Sequence, residues 1–254
     1  MISAFEDIGW AEVKEIFLDI LFPRFCFGCG REGTYICSDC ELFLTENNLI
    51  CPVCGETGYF GKTHDDCSTK SLDGLISIWD YEGTIRKTIL SIKGRDSYHV
   101  AEKLIERAFA NIILEQERFI YFLEFFLEND SKITFVPAHK KKKEIKIEAG
   151  FRQFDDKNHA EEIAKCLAKV HPKERSAISL LQKIRRTEKQ ADLSRKERLK
   201  NVKGVFDTKK KSIPENLILV DDVFTTGATM RECAKSLKKS GAEKIWGFTL
   251  ARTV

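Results

Sequence analysis

The chain has 254 residues, 43% hydrophobic and 32% charged, which excludes a largely disordered or fibrous protein. Its net charge of +3 conceals a division: residues 1–75 carry 5 Lys/Arg against 13 Asp/Glu, a net of −8, while residues 76–254 carry 37 against 26, a net of +11. Seven of the nine cysteines fall between Cys26 and Cys67, so a short acidic, cysteine-rich head precedes a long basic body.

The N-terminus carries acids early and lacks a basic stretch followed by a long apolar run, so it does not read as a secretory signal. The most apolar window, Phe119–Leu127, is nine residues long and contains Glu124. A membrane span needs about 20, so none is expected and a cytoplasmic setting is. In a reducing compartment clustered cysteines read as metal ligands rather than disulfides.

In chain order, Ile8, Val13, Ile16, Phe17, Ile20 and Leu21 recur at helical spacing up to Pro23, predicting an amphipathic helix docked on a core. Its acidic polar face argues against a membrane-surface helix. Residues 24–70 form the cysteine-rich head. Strands are expected at 75–79, 133–138, 177–184, 216–221 and 244–250. Helices are expected at 83–94, at 100–128 in one or two pieces, at 156–169 and at 228–240, the last closed by Gly241. The polar, basic stretch 185–211 reads as a mobile loop. Asn216–Asp221 holds a continuous apolar run, Leu217–Val220, as a strand buried on both faces requires. Strands alternating with helices predict a mostly parallel sheet over residues 75–254.

The head contains three C-x-x-C pairs, Cys26/Cys29, Cys37/Cys40 and Cys51/Cys54, and a fourth pair of the same spacing, His64/Cys67. Two intervening residues let a tight turn aim both side chains at one ion, and zinc takes four such donors in a closed structural site. Eight donors suit two Zn2+ ions. The simplest assignment is sequential, joining the first pair with the second and the third with the fourth; spacing also admits a cross-braced pairing, first with third and second with fourth. Such a head has few large apolar groups and needs a metal staple to fold. Its acidity argues against phosphate binding by the head alone.

The stretch Leu217–Thr229, LILVDDVFTTGAT, brings Asp221 and Asp222 to the C-terminal edge of a buried strand, where open α/β sheets bind ligands. Thr225, Thr226, Gly227, Ala228 and Thr229 then lead into a helix. Backbone N–H groups at a helix start favour an anion, and glycine permits close approach. A phosphate on Thr225–Thr229, with two carboxylates for sugar hydroxyls, suits a phosphorylated sugar.

This stretch closely resembles the 5-phosphoribosyl 1-diphosphate (PRPP) motif of type I phosphoribosyltransferases. A C-x-x-C head followed by such a body resembles the ComF family of competence proteins. Residues 81–93 (YEGTIRKTILSIK) and 185–206 (RRTEKQADLSRKERLKNVKGVF) also resemble segments of that family, and the match spans roughly residues 20–252. Two departures stand out: Val136-Pro137-Ala138-His139 where the family has Pro-x-Pro, and Ala149-Gly150-Phe151-Arg152-Gln153 where it has Arg-Gly-Phe-Asn-Gln.

The resemblance implies a type I phosphoribosyltransferase-like sheet flanked by helices, behind a double zinc-ribbon head. It implies that Asp221 and Asp222 hold the ribose hydroxyls of PRPP, directly or through Mg2+, while Thr225–Thr229 cradle the 5-phosphate. His139, Lys140 and Lys141 in the loop after residue 138, and Arg185, Arg186 and Lys189 from a lid, become candidates for stabilising a leaving diphosphate. It also implies handling of single-stranded DNA during natural transformation, together with other DNA-uptake proteins, in the cytoplasm or at the periphery of the inner membrane. Residues 183–211 hold 12 Lys/Arg against 4 Asp/Glu, and with Lys140–Lys143 they offer a basic surface for phosphates of either kind. The competing readings are an active phosphoribosyltransferase with an unidentified acceptor and a PRPP-sensing regulator. No segment reads as a recognition site for a base.

Overall fold

Five segments of the body pair into one all-parallel sheet of a computed structural model, whose described residues are 23–67, 71–92, 97–128, 130–138, 147–148, 151–152, 158–173, 175–185, 202–210 and 212–253. The strands are β1 (Gly74–Asp80), β2 (Lys132–Phe135), β5 (Ala177–Ile178), β8 (Asn216–Phe224) and β9 (Lys244–Arg252), in the order β1-β9-β8-β2-β5. Two short antiparallel pairs stand apart: β3 (Ile147–Glu148) with β4 (Phe151–Arg152), and β6 (Leu181–Lys183) with β7 (Phe206–Thr208). The helix expected before Pro23 lies outside the described residues.

The helices are α1 (Ser38–Glu41), α2 (Gly83–Ser91), α3 (Ser97–Leu114), α4 (Ile120–Leu127), α5 (His159–Lys169) and α6 (Ala228–Lys239). The expected helical stretch 100–128 is thus two helices. The apolar window seen in the sequence is α4, and its purpose is packing: Phe122 and Phe126 stack at 5.7 Å, and Phe122 meets the rings of Trp246 and Phe248 on β9. No helix among the described residues is long and apolar enough to cross a membrane. α5 buries Ala160, Ile163, Ala164 and Leu167, and its outward face carries the Lys165–Glu161 pair at 3.0 Å.

Three expectations need correction. The apolar stretch 177–184 is not one strand: β5 joins the main sheet and β6 leaves it to pair with β7. Part of the expected loop 185–211 is therefore strand, because Phe206–Thr208 supplies the hydrogen-bonding edge that β6 needs. The strand expected at 216–221 also runs on to Phe224, so Asp221 and Asp222 lie inside it.

β1 lies at the edge of the sheet, yet Leu75–Trp79 are all buried. The head explains this. The Asn47 N–H donates to the Ile78 carbonyl at 3.0 Å, the Asp80 N–H to the Thr45 carbonyl at 2.8 Å, and the Thr63 N–H to the Asp73 carbonyl at 2.9 Å. An open edge would otherwise invite pairing with another chain. Side-chain links add to the contact: Arg107 Nη2 donates to the Ile36 carbonyl at 2.7 Å, and Arg118 pairs with Glu46 at 2.7 Å. Ile36 and Ile50 of the head are buried in one continuous core with the body.

Candidate functional site

The head is built on a repeated turn. Cys26-Phe-Gly-Cys29-Gly30 recurs 25 residues later as Cys51-Pro-Val-Cys54-Gly55. In both, the glycine N–H donates to the carbonyl of the first cysteine, at 2.8 and 2.9 Å, and the glycine has positive φ, +78° and +87°. A side chain there would strain the turn. The N–H groups of Cys26 and Cys51 donate to the carbonyls of Arg31 and Glu56, and the bridges Phe25↔Glu32 and Ile50↔Thr57 close each loop. The sequence signal for the repeat is the glycine that follows Cys29 and Cys54, whereas the Cys37/Cys40 pair is followed by Glu41.

The donor atoms of Cys26, Cys29, Cys37 and Cys40 lie within 4.8 Å of one another, as do those of Cys51, Cys54, His64 and Cys67. This is the sequential grouping. Donors around a tetrahedral Zn2+ with bonds of ~2.3 Å stand roughly 3.8 Å apart. The Cys29 and Cys37 sulfurs are 3.6 Å apart, and Cys54 Sγ is 3.5 Å from His64 Nδ1. His64 Nε2 donates to the Thr57 carbonyl at 3.0 Å, which leaves the Nδ1 lone pair facing the sulfurs. Both sets therefore fit structural zinc.

The first and last cysteines of each set shift in opposite directions. Burial raises Cys26, but the backbone N–H groups of Cys29, Cys37 and Gly28 outweigh it and bring the thiol down to about 6. Burial likewise raises Cys51, and the N–H groups of Cys54, His64 and Val53 bring it down to about 7. Cys40 goes the other way, to about 12, through burial and through donating to the neighbouring sulfurs; Cys67 rises to about 11 for the same reasons. A metal ligand must be thiolate, and the backbone prepares one in each set.

The second site lies at the C-terminal edge of the sheet. The chain passes from β2 outward to β5, then returns to β8 on the other side of β2. Ligands of open sheets bind where the winding reverses in this way. A cavity of about 310 Å³ opens there, walled by Tyr81, Val136, Asp221, Asp222, Thr225 and Gly227–Met230. The Val223 N–H donates to Asp222 Oδ1 at 2.8 Å, and the Asp222 N–H to Asp221 Oδ1 at 3.0 Å. These bonds hold both carboxylates within the C-terminal half of β8.

Gly227 caps α6 in the left-handed region, φ +69°. A Cβ there would stand 2.2 Å from the Phe224 ring. Thr226 Oγ1 accepts from the Ala228 N–H at 3.3 Å, turning the loop into the helix. The loop thus presents its backbone N–H groups and threonines beside two carboxylates, a setting for a phosphate joined to a polyhydroxyl group.

Of the expected site residues, the structure brings Asp221, Asp222, Thr225, Gly227, Ala228 and Thr229 together on this cavity, with Thr226 between them in the loop. His139, Lys140, Lys141, Arg186 and Lys189 lie outside the described residues. Arg185 is exposed, is not among the residues lining the cavity, and donates to the Lys203 carbonyl. Tyr81 is the residue that sequence reasoning left out. Its hydroxyl is held above its ordinary pKa by burial and then by the charge of Asp222, with Arg86 opposing. The signal available for it was its place just after the apolar run of β1.

Fold and sites define a class: a zinc-ribbon head capping the edge of a parallel α/β sheet that carries a Thr/Gly loop and a cavity at its C-terminal edge. A family described as a double zinc ribbon domain matches residues 17–68. Over 258 aligned residues the chain is 28% identical to Competence protein ComFC of Bacillus subtilis (strain 168), covering 98% of this chain and 91% of the relative. It is 39% identical to Competence protein F of Haemophilus influenzae over 77 residues, 29% of this chain and 34% of the relative. It is 26% identical to DNA utilization protein YhgH of Salmonella typhi, covering 86% of this chain and 91% of the relative. The likeness to competence proteins of the ComF type therefore runs through head and body alike.

Proposed function

We propose that this protein takes part in the handling of incoming DNA, as the names of its relatives suggest, and that its body binds PRPP. The observation that carries the reading is the cavity at the sheet edge, where an N–H-rich loop starts α6 beside Asp221 and Asp222. In this reading Thr225–Thr229 take the 5-phosphate and the two carboxylates take the ribose hydroxyls. Mg2+ entering with PRPP supplies charge neutralisation of its diphosphate. Lys140, Lys141, Arg185, Arg186 and Lys189 serve the diphosphate end or the phosphates of single-stranded DNA. The two donor sets hold structural Zn2+.

A second reading, a phosphoribosyl transfer to an acceptor, draws on Tyr81, whose place in the cavity wall suits a planar group. Calorimetry of the full, zinc-loaded chain with PRPP and Mg2+, repeated with a short single-stranded oligonucleotide, tests the first reading. Binding of both, with the oligonucleotide lost as salt rises, is expected. Absence of PRPP binding overturns the site, and absence of oligonucleotide binding at moderate salt overturns the DNA role. Diphosphate release from PRPP with a base or nucleoside decides for the second reading.

A further inference from the structure

Arg231 lies in the first turn of α6, four residues beyond Gly227. A cation there opposes the helix dipole, and no acid occupies that turn. The side chain must earn its place through its partners. Nη2 donates to the Thr226 carbonyl at 2.8 Å, inside the anion loop. Nη1 donates to the Pro52 carbonyl at 2.9 Å, inside the turn between Cys51 and Cys54. The guanidinium also lies against Gly227, where a Cβ would stand 2.8 Å from Nη1. One rigid fork thus spans the anion loop and the metal turn of the second donor set. The corresponding position in the first donor set, Phe27, instead stacks on Tyr35 at 5.8 Å.

We propose that Arg231 is a positioning residue that links anion binding on Thr225–Thr229 to metal retention by Cys51, Cys54, His64 and Cys67, and not to the other set. The proposal rests on the reading of the loop as a phosphate site. The link is mechanical: ordering the loop around an anion fixes the Thr226 carbonyl, which fixes the guanidinium and through it the Pro52 carbonyl. Linkage is reciprocal, so metal in the second set tightens anion binding by the same factor.

The test uses the full zinc-loaded chain and ribose 5-phosphate as the probe. Zinc is titrated away with a chromophoric chelator with and without the probe. Cys26→Ser and Cys51→Ser assign the two steps, and calorimetry measures probe binding separately. The probe should raise the chelator needed for the second set by roughly 5- to 50-fold, within the usual span of allosteric coupling, and leave the first set unchanged. Arg231→Ala should abolish this protection. Arg231→Lys keeps the charge but cannot fork to both carbonyls, so it should retain probe binding and lose the selective protection. Equal protection of both sets, protection of neither while calorimetry shows binding, or full protection in Arg231→Lys overturns the proposal. Absence of probe binding in the unaltered chain overturns the phosphate reading itself, and the proposal with it.

Discussion

The two donor sets begin with the same turn and end differently. After the first C-x-x-C-G, Cys37 caps the four-residue helix α1 and Cys40 lies within it; after the second, His64 and Cys67 close a simple turn. The first set is fastened to α3, where Arg107 reaches the Ile36 carbonyl and pairs with Glu41. The second is fastened to the loop of the candidate anion site through Arg231. A duplicated local motif thus supports two roles, because the turn is set by a few backbone hydrogen bonds while its surroundings are set by the body. The first set braces the head on a helix; the second touches, through Arg231, the loop that walls the cavity at the sheet edge.

The sharpest way to break this comparison is to remove one metal at a time. Cys51→Ser and Cys26→Ser should each lower bound zinc from two ions per chain to one, as metal analysis would show. Structural zinc contributes about 10–16 kcal/mol in isolated zinc-finger peptides, so either ribbon should lose its order without its metal. Only Cys51→Ser should also weaken PRPP binding. Equal loss from both variants would erase the distinction.

Gly227→Ala should come next. Its methyl group meets the Phe224 ring in a left-handed backbone conformation, and a cost of about 2–4 kcal/mol is expected in chemical unfolding. An unchanged midpoint would refute the close packing of loop and strand. Asp222→Asn should leave stability nearly intact and weaken PRPP binding by about 10- to 100-fold, the value of roughly 1.5–3 kcal/mol for a charged hydrogen bond. Unaltered calorimetry would remove Asp222 from the site.

The smallest effect belongs to His171, just beyond the end of α5. His171 is buried, donates from Nε2 to the Phe126 carbonyl at 2.8 Å, and accepts the Lys173 N–H on Nδ1 at 3.0 Å. Burial lowers its pKa, with the charges of Arg175 and Lys173 adding to it and the Phe126 bond opposing. A base with a lowered pKa in the folded state is protonated more readily when unfolded. Its contribution is therefore complete above the unfolded value of about 6.5 and is lost as pH falls below it. A shallow drop in Tm from about pH 7.5 to 5.5 is expected, flattened in His171→Gln. A drop of the same size in the variant would assign it elsewhere.

Much of this was legible in the sequence because local spacing carried it. The apolar run before Asp221 required a buried strand, Gly241 ended α6, and C-x-x-C spacing delivered donors in pairs. The division of 177–184 between two sheets was not legible, since an apolar run does not say which neighbour will pair with it. Nor was the destination of FIYFLEFFL, which only the rings of Trp246 and Phe248 explain. Tyr81 and Arg231 escaped notice because each acts with residues far away in the chain.

The amino-acid order alone thus determined the parallel α/β class, the eight candidate donors and the acid-and-glycine loop, all features whose residues lie within one turn or one strand of each other. The tertiary structure decided the rest: sequential rather than crossed grouping of donors, the head as cover for the open edge of β1, and the contact of Arg231 with both sites. The reason is physical. Side chains and backbone groups close in sequence are held to a few geometries by covalent reach, whereas pairing between distant segments depends on which surfaces the whole chain must bury together.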